Sequence, residues 1–262
     1  MCLIVFAWQV HPEFPLVLGA NRDEYFDRPT LPAAFWPERT DLLAGRDLQK
    51  GGTWLGITRH GRVAAVTNYR HGLYAPREAR SRGQLVASFL GGESAPDAFL
   101  ARVAADPNAY DGFNLIAGDR GGLHYYSNRN GEPQPVGAGV HGLSNALLDT
   151  PWPKVQRAKA ALSTLLGAEK PSLLAGVFAL LADESRPADA ELPATGVSLE
   201  WERLLSAAFI ASTDYGTRCS TVLLVDRRGD LTFVERSFER LPPRSTDRAY
   251  EVESSPATAG TP

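Results

Sequence analysis

Two runs far apart in the chain, residues 2–8 (CLIVFAW) and 221–225 (TVLLV), carry apolar side chains with little alternation. A strand with one face in water alternates apolar and polar positions. A strand without alternation is expected to be covered on both faces. Strands of this kind need packing layers above and below, which points to a layered sandwich rather than a single open sheet.

The remaining pattern fits that demand. Short β-rich runs are predicted at 16–20, 53–58, 62–68, 113–118, 122–127, 140–145, 218–226 and 230–237, most joined by turn-type residues. Helical spacing appears at 81–91, where Leu85, Val86, Phe89 and Leu90 share one face, and at 94–105, with Ser94 as N-cap and Asp97 three residues on. Further helices are predicted near 152–166, 171–182 and 199–207, the first two opening close to a proline. Hairpins separated by helices imply antiparallel sheets covered by helices. The expectation is an α+β fold, a four-layer α/β/β/α sandwich of mainly antiparallel sheets. It forms one domain over residues 1–240. Residues 241–262, rich in Pro, Ser, Thr and Glu, are expected to be a disordered tail.

The first hairpin can be taken further. With its turn centred near Pro12, antiparallel pairing sets Cys2 opposite Arg22 and Leu3 opposite Asn21. The run Asn21, Arg22, Asp23, Glu24 then ends at the same sheet edge as Cys2.

Composition narrows the classes of partner. The 262 residues are 44% hydrophobic and 22% charged, with a formal net charge of −3. That balance argues against nucleic acid or an anionic membrane reached by bulk electrostatics. Arg82, Arg102, Arg157 and Arg203 are dispersed, as on solvated helix faces. The segment after Met1 has no basic start and soon meets Pro12, Glu13 and Pro15, unlike a signal peptide, and no later run suits a membrane span. A cytoplasmic protein is expected, and a structural Cys2–Cys219 disulfide is not. The five histidines form no metal-spaced pair, so no metal site is expected. Haem bound through one axial His or through Cys2 stays open, because a single ligand leaves little trace. Residues 51–56 (GGTWLG) lack the spacing and Lys-Ser/Thr end of a phosphate loop and read as a turn into a strand.

Several residues suit chemistry. If Met1 is removed, Cys2 becomes the amino terminus, and its α-amino group, directly or through water, can take the thiol proton. A small apolar residue starting a buried strand is an equal reading at this position. Asp23 could hold the amine and Arg22 favour the thiolate, or the two could simply close a strand end. Asn68 and Asn145 end apolar strands and suit either an oxyanion donor or a turn. Arg218 opens a long strand, where it needs an acid or an anionic ligand. Trp8, Trp36, Trp54, Phe113, Tyr125 and Tyr126 could line a cleft or fill the core.

The segments Met1-Cys2, 20–24 (ANRDE) with Arg28-Pro29, 51–56 (GGTWLG), 67–70 (TNYR), 81–83 (SRG), 112–116 (GFNLI), 142–146 (GLSNA) and 218–221 (RCST) occur in the order typical of one family. On these motifs the chain resembles the NRDE family of transport-and-Golgi-organization proteins. That family is similar to N-terminal-nucleophile (Ntn) hydrolases of the choloylglycine hydrolase and penicillin V acylase branch. The resemblance implies Cys2 as nucleophile, flanked by Arg22 and Asp23, with Asn68, Asn145 and Arg218 in the catalytic set and Asn21 and Glu24 beside the substrate. It implies hydrolysis of a small acyl amide or thioester. The alternative it implies is a binding or trafficking protein that holds haem or acyl-CoA in the same cleft.

Overall fold

The computed structural model describes residues 2–72, 79–240 and 245–254. Within them, thirteen strands form two antiparallel sheets. The first sheet contains β1 (Cys2–Trp8), β2 (Leu16–Tyr25), β10 (Gly139–Leu143), β11 (Tyr215–Val225), β12 (Leu231–Phe238) and β13 (Ser245–Val252), in the order β10-β1-β2-β11-β12-β13. The second contains β3 (Thr30–Trp36), β4 (Arg39–Asp47), β5 (Leu55–Thr58), β6 (Val63–Asn68), β7 (Phe113–Asp119), β8 (Gly122–Ser127) and β9 (Gln134–Pro135), running in sequence order. Helices α1 (Arg82–Leu90) and α2 (Pro96–Ala104) cover the second sheet. Helices α3 (Pro153–Thr164) and α4 (Lys170–Leu181) cover the first, and α5 (Leu199–Leu204) follows them. No helix among the described residues is long and apolar enough to cross a membrane.

Three apolar layers account for the absent alternation. Ile4, Phe6, Leu18 and Leu223 meet Leu43, Ile57, Ala65 and Ile116 between the sheets. The intervening residues Leu3, Val5, Val17 and Leu224 meet Val155, Leu162, Val177 and Leu181 of α3 and α4. On the other side, Leu42, Ala64 and Leu115 meet Leu85, Phe89 and Leu100. Gly19 allows α4 to come this close, since a Cβ there would lie 2.6 Å from Val177 Cγ1. The expected four-layer α/β/β/α sandwich is the observed one.

Three expectations change. The tail includes an ordered strand: β13 pairs with β12 from Leu231↔Val252 to Phe238↔Ser245, buries Val252, and sends the Tyr250 hydroxyl to the Ala33 carbonyl at 2.8 Å. Residues 241–244 and 255–262 of that tail lie outside the described residues. Strands β3 and β4 fill a stretch where the sequence suggested no element. The second helix begins at Pro96 with Ala95 as N-cap, and Ser94 instead accepts a hydrogen bond from Arg102.

Candidate active site

The β1–β2 register is the one the sequence implied, with Cys2 opposite Arg22 and Leu3 opposite Asn21. Opposed residues share a face. Cys2 and Arg22 therefore continue the row of Ile4, Phe6, Leu18 and Ala20 toward the second sheet, while Asn21 and Asp23 turn toward the helices.

At this end of the sandwich the sheets part around a cavity of about 270 Å³. The first sheet contributes Cys2, Arg22, Asp23 and Glu24. The second sheet and its loops contribute Asp47, Lys50, Thr53, Trp54, Val66 and Asn68, and the approach to α1 contributes Arg80, Ser81, Arg82 and Gly83. Burial pushes the Cys2 thiol above its usual range and Asp23 raises it further, while the Asp23 backbone N–H and the Arg22 guanidinium favour the thiolate. Arg22 is 5% exposed, and its guanidinium lies 4.3 Å over the Trp54 ring.

Asp23 lies on the helix side of the strand. Burial raises its carboxyl, while Lys154 and a 2.8 Å hydrogen bond from the Thr217 hydroxyl act in the opposite direction. Lys154 is itself buried and donates to the Leu205 carbonyl at 2.9 Å. Burial, opposed by Asp23, pushes its ammonium down to about 8.

A short segment after β10 stitches the two sheets together at the cavity. Ser144 Oγ donates to the Cys2 carbonyl at 3.0 Å, and Thr67 Oγ1 donates to the Ser144 carbonyl at 2.6 Å. Asn145 Nδ2 donates to the Asn68 carbonyl at 2.9 Å, and the Arg70 amide donates to the Asn145 carbonyl at 2.7 Å. The motif at 142–146 thus fixes the first sheet, carrying Cys2, against the second, carrying Asn68.

The structure brings Cys2, Arg22, Asp23, Glu24 and Asn68 to one cavity and sets three predicted residues elsewhere. Asn21 is buried against the helices, where Nδ2 donates to the Leu181 and Ala208 carbonyls at 2.8 Å each and Oδ1 accepts from Ser220. It does not line the cavity. Asn145 does not line the cavity, and its amide holds Asn68. Arg218 is the extra residue of a β-bulge, since the β2–β11 pairing steps from Thr217↔Asp23 to Cys219↔Arg22. Its Nη1 donates to the Tyr25 and Arg28 carbonyls at 2.7 and 3.1 Å. Two carbonyls at a turn thus meet part of the need of this arginine, which lines the small cavity behind Arg22 and Trp54 rather than the main one.

Other lining residues escaped the sequence reading. Arg82 faces the cavity rather than solvent because Gly52 and Gly83 touch. A Cβ at Gly52 would lie 2.4 Å from the Gly83 carbonyl carbon, and the Thr53 amide donates to the Gly83 carbonyl at 3.2 Å. The glycines at 51–52 and in the segment 81–83 were the available signal. Of the six aromatic residues considered, only Trp54 lines the cavity.

Over residues 1–240 the chain matches the family described as Transport and Golgi organisation 2. It is 41% identical over 261 residues to the Bos taurus Transport and Golgi organization protein 2 homolog and 37% identical over 265 residues to the Homo sapiens homolog. Each match covers 91% of this chain and 93% of the relative. Among solved structures, penicillin V acylase from Agrobacterium tumefaciens matches with a TM-score of 0.50 at 13% identity, covering 94% of this chain and 85% of that one. At that identity the likeness is one of fold, that of the Ntn hydrolases.

Proposed function

The chain belongs to the Transport and Golgi organisation 2 family, and from that premise we propose that it is a cytoplasmic cysteine-dependent hydrolase of small acyl amides or thioesters. The observation that carries this reading is the thiol of Cys2 at the end of the first strand of an Ntn-type sandwich, sharing a cavity with Arg22, Asp23 and Asn68. The solved structure of like fold is, by its name, an acylase.

In the proposed reaction Met1 has been removed and the Cys2 α-amino group takes the thiol proton. The sulfur attacks the acyl carbonyl, forming a tetrahedral oxyanion that the Asn68 side-chain amide stabilises. Collapse expels the amine or thiol with a proton returned from the α-ammonium, and water then releases the acyl group. Asp23 anchors the amino group, Arg22 stabilises the thiolate, and Asn145 is a positioning residue acting through Asn68. Glu24 borders the substrate.

A second reading, carriage of acyl-CoA or haem in the same cleft without hydrolysis, draws on Leu31, an exposed apolar side chain that borders the small cavity behind Arg22 and Trp54. An amphipathic ligand would rest its apolar part there. Among the described residues no histidine lines the main cavity, and Cys2 is a side chain there able to ligate haem iron as a thiolate.

Screening acyl amides and thioesters against the wild-type protein and Cys2→Ala separates the readings. Hydrolysis lost in Cys2→Ala, with Met1 absent by intact mass, supports the hydrolase. Ligand binding without turnover in both proteins supports the carrier, and turnover retained in Cys2→Ala would sink the nucleophile assignment.

A further inference from the structure

The wall of the cavity opposite Cys2 is unusually well supplied with donors. Helix α1 begins there, with Ser81 as its N-cap, and Ser81, Arg82 and Gly83 all line the cavity. The Ser81 side chain makes no capping hydrogen bond and the first turn contains no acidic residue, so the helix start has no local anion to complement it. Among the described residues Arg82 makes one hydrogen bond, from Nη1 to the Gly112 carbonyl at 3.1 Å, and no carboxylate ion pair. Arg80 and Lys50 stand on the same wall.

An independent observation comes from the other sheet. Arg22 lines the same cavity while only 5% exposed, and its Nη1 is buried without a hydrogen-bond partner among the described residues. A buried guanidinium with an unsatisfied nitrogen is costly, and negative charge held in the cavity that Arg22 lines would offset part of that cost. The cavity's carboxylates are Asp23, Glu24, Asp47 and Asp111. Arg28 engages two of them, Asp47 at 2.6 Å and Glu24 at 3.7 Å. Asp111 and Glu24 act on Arg82 through space and Asp23 on Arg22, yet among the described residues Arg22, Lys50, Arg80 and Arg82 make no carboxylate ion pair within 4.0 Å.

We infer that the cleft contains an oxyanion-binding subsite at the start of α1, walled by Arg82 and Arg80 and closed by Arg22, that takes a carboxylate or phosphate group of the ligand. The inference rests on the cleft being the ligand site proposed above, but not on Cys2 acting as nucleophile. It deepens that proposal by making the substrate an acidic one. The helix start supplies N–H donors and a favourable dipole, and the arginines supply charge.

Calorimetric titration of the full chain with inorganic phosphate, and separately with acetate, at low ionic strength tests the subsite. Saturable binding is expected, weakened about tenfold or more by Arg82→Gln and unchanged by Arg102→Gln, which alters an arginine outside the cleft. Phosphate binding alone identifies a phosphate group as the ligand's anion, and acetate binding alone a carboxylate. Ser81→Asp covers the case in which Arg82→Gln folds poorly. A carboxylate at the N-cap supports the helix while repelling the anion, so thermal stability is expected to hold or rise as affinity falls. Binding of neither anion to the wild type, or binding indifferent to both Arg82→Gln and Ser81→Asp, overturns the inference. Repeating the titration with Cys2→Ala keeps the two proposals apart, because a failed nucleophile leaves anion binding intact.

Discussion

Asn145 Nδ2 donates to the main-chain carbonyl of Asn68 across 2.9 Å, and in doing so joins a residue just after β10 of one sheet to the last residue of β6 in the other. The bond places Asn145 in support of the cleft rather than inside it. Asn145→Ala is expected to destabilise the fold by about 1–3 kcal/mol, the cost of unsatisfied buried polar groups. It should also lower kcat more than it raises KM, because Asn68 loses its fixed position. Urea denaturation and steady-state kinetics on an active substrate read the two effects.

Arg70 and Glu202 form a buried ion pair, with Nη2 and Oε2 3.0 Å apart and each side chain 5% exposed. Glu202 Oε1 also accepts from the Thr195 amide and hydroxyl. Glu202→Ala removes the carboxylate from a buried guanidinium and is expected to cost about 3–5 kcal/mol. Glu202→Gln, which keeps an acceptor for Thr195, should cost less. Equal losses in equilibrium denaturation would contradict the ion-pair account.

His141, Asp149 and Lys159 form a cluster whose contribution to stability depends on pH. The hydrogen bond to Asp149 raises His141, against the effect of its partial burial. Burial works against ionised Asp149, but hydrogen bonds from His141, Lys159 and the Gly142 amide outweigh it and bring the group to about 2. A raised histidine stabilises fully below its unfolded value, about 6.5, and its contribution fades as pH rises through the higher folded value. A depressed carboxylate stabilises above its unfolded value, about 3.9, and its contribution fades as pH falls toward 2. Stability from this cluster is therefore greatest between about pH 4 and pH 6.5. Asp149 is 34% exposed, which limits the effect to about 1 kcal/mol. Asp149→Asn should flatten the decline on the alkaline side, measured as melting temperature against pH.

Gly52 has no room for a side chain, since an added Cβ would lie 2.4 Å from the Gly83 carbonyl carbon. Gly52→Ala is expected to cost about 1–3 kcal/mol and to displace the start of α1. A folded Gly52→Ala protein should therefore also lose affinity for phosphate or acetate. Retained stability in thermal melts would contradict the close contact.

Removing residues 241–262 strips β13 from β12. It exposes Val252's packing surface and breaks the Tyr250–Ala33 hydrogen bond between the sheets. The loss is expected to be about 3 kcal/mol, from one buried aliphatic side chain and one hydrogen bond. The bared β12 edge also invites association. Denaturation and light scattering of the truncated chain check both effects.

The parts of the fold most readable in the sequence were those where burial on both faces left a strong pattern. The β1–β2 register followed from strand length and turn position alone, and it placed Cys2 against Arg22 correctly. Strands β3 and β4 were silent because Pro32 and Pro37 interrupt the stretch and two register shifts break its alternation. Strand β13 has few apolar residues because it forms the sheet's outer edge, and only Val252 is fully buried. Arg82 was misread because its direction depends on a glycine–glycine contact made some thirty residues away in sequence. Asn21, Asn145 and Arg218 lie outside the main cavity, which the sequence could not show for a related reason: a polar residue at a strand end declares a need for partners without saying whether those are backbone or ligand.

The order of strands in the first sheet has a consequence for how the protein is made. Strand β11 inserts between β2 and β12, and its Thr217 supports Asp23. The whole second sheet is synthesised before it. On the ribosome the β1–β2 hairpin must therefore wait, with one edge open, until the last quarter of the chain emerges. The pocket around the thiol is among the final features to mature, so a nascent chain stalled before residue 215 would carry Cys2 without part of the surroundings that enclose it.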